Sequence, residues 1–243
     1  MKGIILAAGT GTRLNGAAAR PKGMIKIGGT TLLRRQIDAL RRSNINDIVV
    51  VIGFEGDSLR NECGDVIQFV ENPLFAQTSS LYSLWLARAH LTNGFVVLNS
   101  DVLFHPLILE GLLKSPPDDA LLISYCEEMS EPLGDEEMKV KVKGDVVIDI
   151  SKEMSPLEAN GENVGIVKFG AAGAKLLVQY MDDLIARGFF NAWAPRAFLE
   201  FAINHKLYAV STRGYPWIEI DFPEDYERAV NEIHVKIESH SMA

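Results

Sequence analysis

Short apolar runs rich in β-branched residues alternate with segments of helical periodicity through the first half of the chain. The runs predict strands at residues 2–6, 48–53, 66–70 and 94–99. Apolar residues at helical spacing predict helices between them, at residues 30–43, 56–62, 79–91 and 106–114. This alternation favours a mostly parallel, twisted sheet with helices on both faces, in which ligands bind beyond the carboxyl ends of the strands.

After Pro116-Pro117 the strands become shorter and closer together. The acidic segment 127–137 is interpreted as a solvated loop, and a hairpin turn is predicted at residues 143–145. Strands are predicted at residues 119–125, 138–143, 146–150, 163–169, 206–211 and 217–220. Helices are predicted near 171–187, 194–203 and 223–237, with a frayed tail at 238–243. The second half therefore predicts a small β-rich part within one α/β domain of 243 residues.

Charge and cysteine usage narrow the class of protein. The net charge of −8 argues against a nucleic-acid partner, and no segment approaches the length of a transmembrane helix, so no membrane partner is expected. Cys63 and Cys126 lack metal-ligand spacing, which predicts buried free thiols and a cytoplasmic protein. The oligomeric state is left open, a homo-oligomer included.

The most informative segment is Leu6-Ala-Ala-Gly-Thr-Gly-Thr-Arg13, which follows the first predicted strand. The two glycines expose backbone N–H groups, and Arg13 and Lys22 add positive charge, so the segment predicts a polyphosphate site. A dinucleotide fingerprint would need a third glycine where Leu14 stands, and a P-loop would need Gly-Lys-Ser/Thr. A plain glycine-rich turn is the remaining alternative.

Two aspartates end other predicted strands. Asp101 follows an apolar run in Asn99-Ser100-Asp101, and Asp221 follows the run 217–220 just before a predicted helix. The alternative for Asp221 is a helix N-cap, a role that can coexist with ligand binding. Glu219 lies on the same side of its strand as Asp221 and is a further candidate for ligand binding.

These motifs resemble those of nucleotidyltransferases that join an NTP to a sugar 1-phosphate or a phospho-alcohol, and the resemblance runs nearly to the end of the chain. It is strongest for the branch that contains phosphocholine, phosphonate and inositol-phosphate cytidylyltransferases. The segments that carry it are residues 6–13, Pro21-Lys22, Asn72-Pro73, 80–87, 99–101, 137–140, 161–169 and 217–225. The resemblance implies a Rossmann-like, GT-A-like fold with a nucleotide-binding half at 1–115 and an acceptor-binding half at 116–237.

The resemblance also implies a reaction and its residues. Asp101 and Asp221, with Glu219 as a further candidate, would hold Mg²⁺, while Arg13 and Lys22 would act on the phosphates. Acceptor contacts are expected from Glu162, Lys168 and Trp193, the last as part of an aromatic cage for a quaternary ammonium group. Nucleotide contacts are expected from Leu6, Ala7, Ala8, Gly9, Thr10, Gly11, Thr12, Gln77, Thr78, Ser79, Ser80 and Ser100.

Three points stay open at this stage. Ser79, Ser80 and Ser100 stand where relatives often carry asparagine or glycine, so cytosine is favoured without being fixed. A sugar 1-phosphate is the rival acceptor to a phosphocholine-like one. A nucleotide sensor without catalysis and a metal-dependent glycosyltransferase are the alternatives from other classes, although the intact Arg13, Lys22, Asp101 and Asp221 disfavour the sensor.

Overall fold

The computed structural model describes residues 1–15, 20–64, 67–129 and 131–240. Its strands are β1 Lys2–Ala7, β2 Lys26–Ile27, β3 Thr30–Thr31, β4 Ile48–Ile52, β5 Gln68–Glu71, β6 Phe95–Asn99, β7 Val102–Phe104, β8 Ala120–Tyr125, β9 Lys139–Lys143, β10 Val146–Ser151, β11 Gly161–Phe169, β12 Tyr208–Ser211 and β13 Trp217–Glu219. Its α-helices are α1 Thr12–Asn15, α2 Leu32–Arg42, α3 Gly56–Cys63, α4 Ser80–Leu86, α5 Pro106–Lys114, α6 Ala171–Ala186, α7 Pro195–Asn204, α8 Pro223–Arg228 and α9 His234–His240. A π-helical turn, Ala229–Ile233, joins α8 to α9.

Nine strands from both halves of the chain form one sheet, in the order β5-β4-β1-β6-β11-β8-β12-β10-β9. The pairs from β5 to β6 are parallel, as the alternating pattern of the first half predicts. From β6 onward the pairs are antiparallel except β8 with β12. The β-rich second half therefore extends the same sheet and does not form a layer of its own.

Alternation along the central strands gives the sheet two buried faces. Ile4 and Leu6 of β1 pack on one face, against α4, α6 and α7. Ile5 and Ala7 pack on the other, against α2, α3 and α5. The predicted α/β fold with helices on both faces is confirmed.

The C-terminal helices hold a separate apolar cluster over the short β7–β13 ladder. Ile218 and Ile220 of the β13 segment pack there with Ile233 and Ile237. The tail predicted as frayed from residue 238 is helical as far as His240, because this packing continues through Ile237. Residues 241–243 lie outside the described part of the chain.

Two further expectations concern the burial of the cysteines and the length of the helices. Both cysteines are free thiols, but Cys126 is exposed, which corrects the prediction that both are buried. Within the part of the chain that the structure covers, every helix is too short or too polar to cross a membrane.

Candidate active site

The glycine loop lies at the carboxyl end of β1 and forms one wall of a cleft of about 400 Å³. Gly11 has φ +63°, and a Cβ there would lie 2.3 Å from the carbonyl oxygen of Arg20, so this turn requires glycine. A Cβ at Gly9 would meet no protein atom within 4 Å. The open space at Gly9 faces the cleft and lets a ligand approach the backbone closely.

The turn after β6 places Asp101 at the base of the cleft. Gln36 of α2 fixes this turn, because its side-chain amide donates to the carbonyl oxygens of Asn99 and Val102 at 2.8 and 2.9 Å. The backbone N–H of Ser100 donates to the carbonyl of Leu6 at 3.2 Å, which ties the turn to β1. The contacts of Gln36 and Ser100 with the backbone therefore hold Asp101, the candidate metal ligand, close to the glycine loop.

Asp221 reaches the same point through the β7–β13 ladder. β13 pairs antiparallel with β7, and the N–H of Ile220 donates to the carbonyl of Asp101 at 3.0 Å. Helix α8 begins at Pro223, two residues after Asp221, with Phe222 as its N-cap residue, and Asp225 accepts the N–H groups of Asp221 and Phe222. The alternative N-cap role of Asp221 is thus not seen, and its carboxylate is directed to the cleft.

Two cations meet these carboxylates. Lys22 donates to Asp101 Oδ2 at 2.9 Å and also to Asp221 Oδ1, and Arg13 donates to Asp221 Oδ2 at 3.1 Å. Burial alone would lower the pKa of Lys22, but Asp101 and Asp221 outweigh it and the net shift is upward. Lys22 therefore stays positively charged at neutral pH.

Oxygen atoms of Asp101, Glu219 and Asp221 lie within 4.8 Å of one another. Burial raises the pKa of Glu219 well above its ordinary value, and the two neighbouring aspartates raise it further. Asp101 Oδ1 is buried and has no hydrogen-bond partner among the described residues. An orphaned carboxylate oxygen beside two more carboxylates is a donor set that suits a hard divalent cation.

Most of the predicted nucleotide-binding residues line this cleft, namely Leu6, Ala8, Gly9, Thr10, Gly11, Thr78, Ser79, Ser80 and Ser100. Ala7 does not, because its side chain packs in the core on the opposite face of the sheet. Gln77 is exposed outside the cleft, which corrects its predicted contact. Thr12 begins α1, but its side chain lies outside the described part of the structure.

The predicted acceptor residues are not brought together. Lys168 is buried at the other end of β11, opposite Val96, and its ammonium donates to the carbonyl of Ser115 at 2.8 Å. Its assignment to the acceptor is wrong, because β11 runs antiparallel to β6 and carries residue 168 away from the cleft. Trp193 lines the active-site cleft, whereas Glu162 lines a neighbouring one. The rings of Trp85 and Tyr82 pack against each other at a tilt of 30° instead of forming a cage, and Trp85 donates to Asp182.

The neighbouring cleft, called here the acidic cleft, measures about 480 Å³ and shares Glu219 and Asp221 with the active-site cleft. Arg228 and Lys236 line it, but acidic side chains outnumber them and include Glu128, Glu136, Glu137, Glu162, Asp225 and Glu232. Glu162 is only 8% exposed, and its carboxylate makes no hydrogen bond to any described residue. Burial, with a smaller effect from Glu137, raises its pKa from 4.5 to about 8.

Sequence reasoning missed several residues of the active-site cleft. Lys152 follows β10 and lies 5.0 Å from the centre of the Trp193 ring, and Asn163 of β11 also lines the cleft. Asn99 carried a visible signal, since it adjoins Ser100-Asp101 at a strand end. Lys152 carried none, because its position depends on how β10 and the segment around Trp193 pack.

Comparisons with known proteins agree with this geometry. The model of the MobA-like NTP transferase domain family matches residues 3–141, more than half of the chain. The choline-phosphate cytidylyltransferase of Streptococcus pneumoniae is 28% identical over 233 residues, with 94% of this chain and 96% of the relative covered. The CTP:phosphoglutamine cytidylyltransferase of Campylobacter jejuni is 26% identical, covering 93% and 98%.

A solved structure supports the fold alone. The inositol-1-phosphate CTP transferase from T. maritima superposes with a TM-score of 0.80 at 20% identity, covering 98% of this chain and 96% of that one. The family match and the full-length relatives agree with the glycine loop, paired cations and carboxylates found in the cleft. The chain therefore belongs to the MobA-like NTP transferase domain family and is a nucleotidyltransferase.

Proposed function

We propose that the protein transfers a cytidylyl group from CTP to a small phosphorylated amino alcohol or an aminoalkylphosphonate. Phosphocholine is the representative acceptor of this class. The observation that carries the proposal is the meeting of Arg13 and Lys22 with the carboxylates of Asp101, Glu219 and Asp221 beside an open glycine loop. Two anions must meet for this reaction, so the site has to supply positive charge and alignment and needs no protein nucleophile.

In the proposed reaction a phosphate or phosphonate oxygen of the acceptor attacks the α-phosphorus of CTP. The new bond joins that oxygen to the α-phosphorus, and the bond from the α-phosphorus to the β-phosphate oxygen breaks, so pyrophosphate leaves with the electron pair. The glycine-loop N–H groups hold the phosphates, Arg13 meets the departing pyrophosphate and Lys22 faces the phosphoryl group in transfer. Both cations already lie against the carboxylate cluster, which supports these positions.

The cofactor that fits this cluster is Mg²⁺. Asp101 and Asp221 would hold it, with Glu219 as a further ligand, because their oxygens converge and Asp101 Oδ1 is left without a partner among the described residues. When bound, the ion would offset the charge that builds on the phosphates during transfer.

The amine-bearing acceptor is favoured by the acidic cleft. The carboxylate of Glu162 is buried there without a hydrogen-bond partner among the described residues, and desolvation disfavours its charge. A cation placed beside it would stabilise the ionised form, and the indole of Trp217 lines the same cleft. A sugar 1-phosphate offers no such cation. A contact between Trp193 and the acceptor stays a prediction, since the face of its ring is shared with Lys152.

Pyrophosphate release tests the proposal. Each of CTP, UTP, dTTP and ATP would be combined with phosphocholine, 2-aminoethylphosphonate, inositol 1-phosphate or glucose 1-phosphate, with Mg²⁺ present or chelated. We expect turnover with CTP and the two amine-bearing acceptors, and none without the metal. Turnover confined to glucose 1-phosphate would contradict the acceptor class, and nucleotide binding without turnover on any acceptor would contradict the activity.

A further inference from the structure

Lys139 of β9 is entirely buried, and no carboxylate of the described residues lies within salt-bridge distance of it. Its ammonium donates to three backbone carbonyls, those of Gly134 at 3.1 Å, Asp135 at 2.9 Å and Glu137 at 3.1 Å. A buried ammonium is costly unless its protons are all used, and here each of the three has an acceptor. The side chain is therefore built around these carbonyls.

The carbonyls belong to a segment that has little else to hold it. Residues 131–138 form neither helix nor strand, and residues 134–137 make no backbone–backbone hydrogen bond with the described part of the chain. Leu133 is the buried hydrophobic residue of the segment, at 9% exposure. The bonds from Lys139 thus take the place of a strand ladder, and charge-assisted bonds of this kind are the stronger class.

This segment lines the acidic cleft, and its last residue, Met138, lines the active-site cleft. Glu136 and Glu137 line the acidic cleft, on the same side as Glu162, which pairs in register with Lys139 across β9 and β11. The carboxylate of Glu136 lies 3.7 Å from the ammonium of Lys152, and Lys152 in turn covers Trp193 at the active-site cleft. A continuous set of contacts therefore runs from Lys139 through Glu136 and Lys152 to Trp193.

We propose that Lys139 is a positioning residue for the acceptor: it fixes residues 131–137 as a wall of the acidic cleft. The inference rests on the proposed function, because it assigns the acidic cleft to the acceptor. Lys139 touches no substrate itself, and acts through the backbone of this segment and through Glu136. The glycine loop and the turn that carries Asp101, to which the nucleotide is assigned, are held by contacts of Gln36 and Ser100 that do not include Lys139.

The test compares Lys139→Met with Lys143→Met, whose lysine is exposed at the end of the same strand. Losing the three bonds should raise the KM for phosphocholine by about tenfold, while the KM for CTP stays within about twofold. Hydrogen exchange of the amides of residues 134–137 should accelerate by about tenfold or more, since local opening becomes easier. Lys143→Met should change neither quantity.

A second variant, Glu136→Gln, keeps the inference testable if Lys139→Met fails to fold. Its exposed side chain makes a folded variant the expected result; the KM for phosphocholine should rise while exchange at residues 134–137 stays as in the wild type. An unchanged acceptor KM in a folded Lys139→Met, or in Glu136→Gln when the first variant is unfolded, would overturn the inference. Equal rises in both KM values would reduce Lys139 to a purely structural residue. A wild type without turnover on any acceptor would instead contradict the proposed function.

Discussion

Glu162→Gln should stabilise the fold while weakening acceptor recognition. Glu162 is 8% exposed, its carboxylate has no hydrogen-bond partner among the described residues, and its pKa rises from 4.5 to about 8 because its charged form is desolvated. A carboxyl whose folded-state pKa is raised leaves stability intact below pH 4.5 and costs stability as the pH rises towards 8. The wild-type protein should therefore lose stability over this interval.

The size of the effect follows from proton linkage. Each pH unit above the ordinary pKa costs about 1.4 kcal/mol until the raised pKa is reached, so ionisable Glu162 lowers the free energy of unfolding at pH 7 by about 3 kcal/mol. The substitution removes this penalty, but the glutamine amide is itself a buried polar group whose desolvation offsets part of the gain in stability. A net gain of about 1–2 kcal/mol corresponds to a rise in Tm of about 2–8 °C for a chain of this size.

Thermal unfolding of the wild type and Glu162→Gln, followed by circular dichroism at pH 4.5, 6, 7 and 8, measures the effect. The variant should have the lower Tm at pH 4.5, where Glu162 is neutral and only the cost of the buried amide remains, and it should become the more stable protein as the pH rises towards 7. Glu153→Gln, which removes an exposed carboxylate from a neighbouring loop, serves as the control. A constant Tm difference at all four pH values would refute the burial argument, as would a variant less stable than the wild type at pH 7.

Three further outcomes are expected. The KM for phosphocholine should fall by about tenfold between pH 7 and pH 9 as Glu162 ionises through its pKa of about 8, and steady-state kinetics of Glu162→Gln should lose this dependence. Lys22→Met and Asp101→Asn should each lower kcat by about a hundredfold or more with the far-UV spectrum retained; near-normal kcat in either would remove that residue from the mechanism. Lys168→Met should leave both KM values within about twofold, because its ammonium bonds a carbonyl remote from the clefts.

The sequence predicted the parts of the site that follow directly from strand ends. Gly9, Gly11, Asp101 and Asp221 each come just after an apolar run, and the carboxyl ends of β1 and β6 meet at one edge of the parallel part of the sheet. The motif order along the chain supplied Lys22. Gly9, Gly11 and Asp101 required no knowledge of long-range packing beyond the direction of the parallel strands, whereas Asp221 reaches the cleft through the antiparallel β7–β13 ladder.

The acceptor residues could not be placed in this way. Glu162 and Lys168 lie on one strand, and six residues at ~3.3 Å each separate them by ~20 Å, so they cannot serve one small ligand. The antiparallel direction of β11 decides which end reaches the cleft, and local patterning does not encode direction. The burial of Lys139 and the approach of Lys152 to Trp193 depend on the fold of residues 131–137, which has no periodicity to read.

The most direct test of the central claim is a titration with Mn²⁺, followed by electron paramagnetic resonance, in the presence of a non-hydrolysable CTP analogue. If Asp101 and Asp221 hold the ion beside the triphosphate, the wild type should bind Mn²⁺ more tightly with the analogue than without it. Asp101→Asn and Asp221→Asn should each weaken that binding by about tenfold or more. Unchanged Mn²⁺ affinity in both variants would contradict a shared metal site at this cluster.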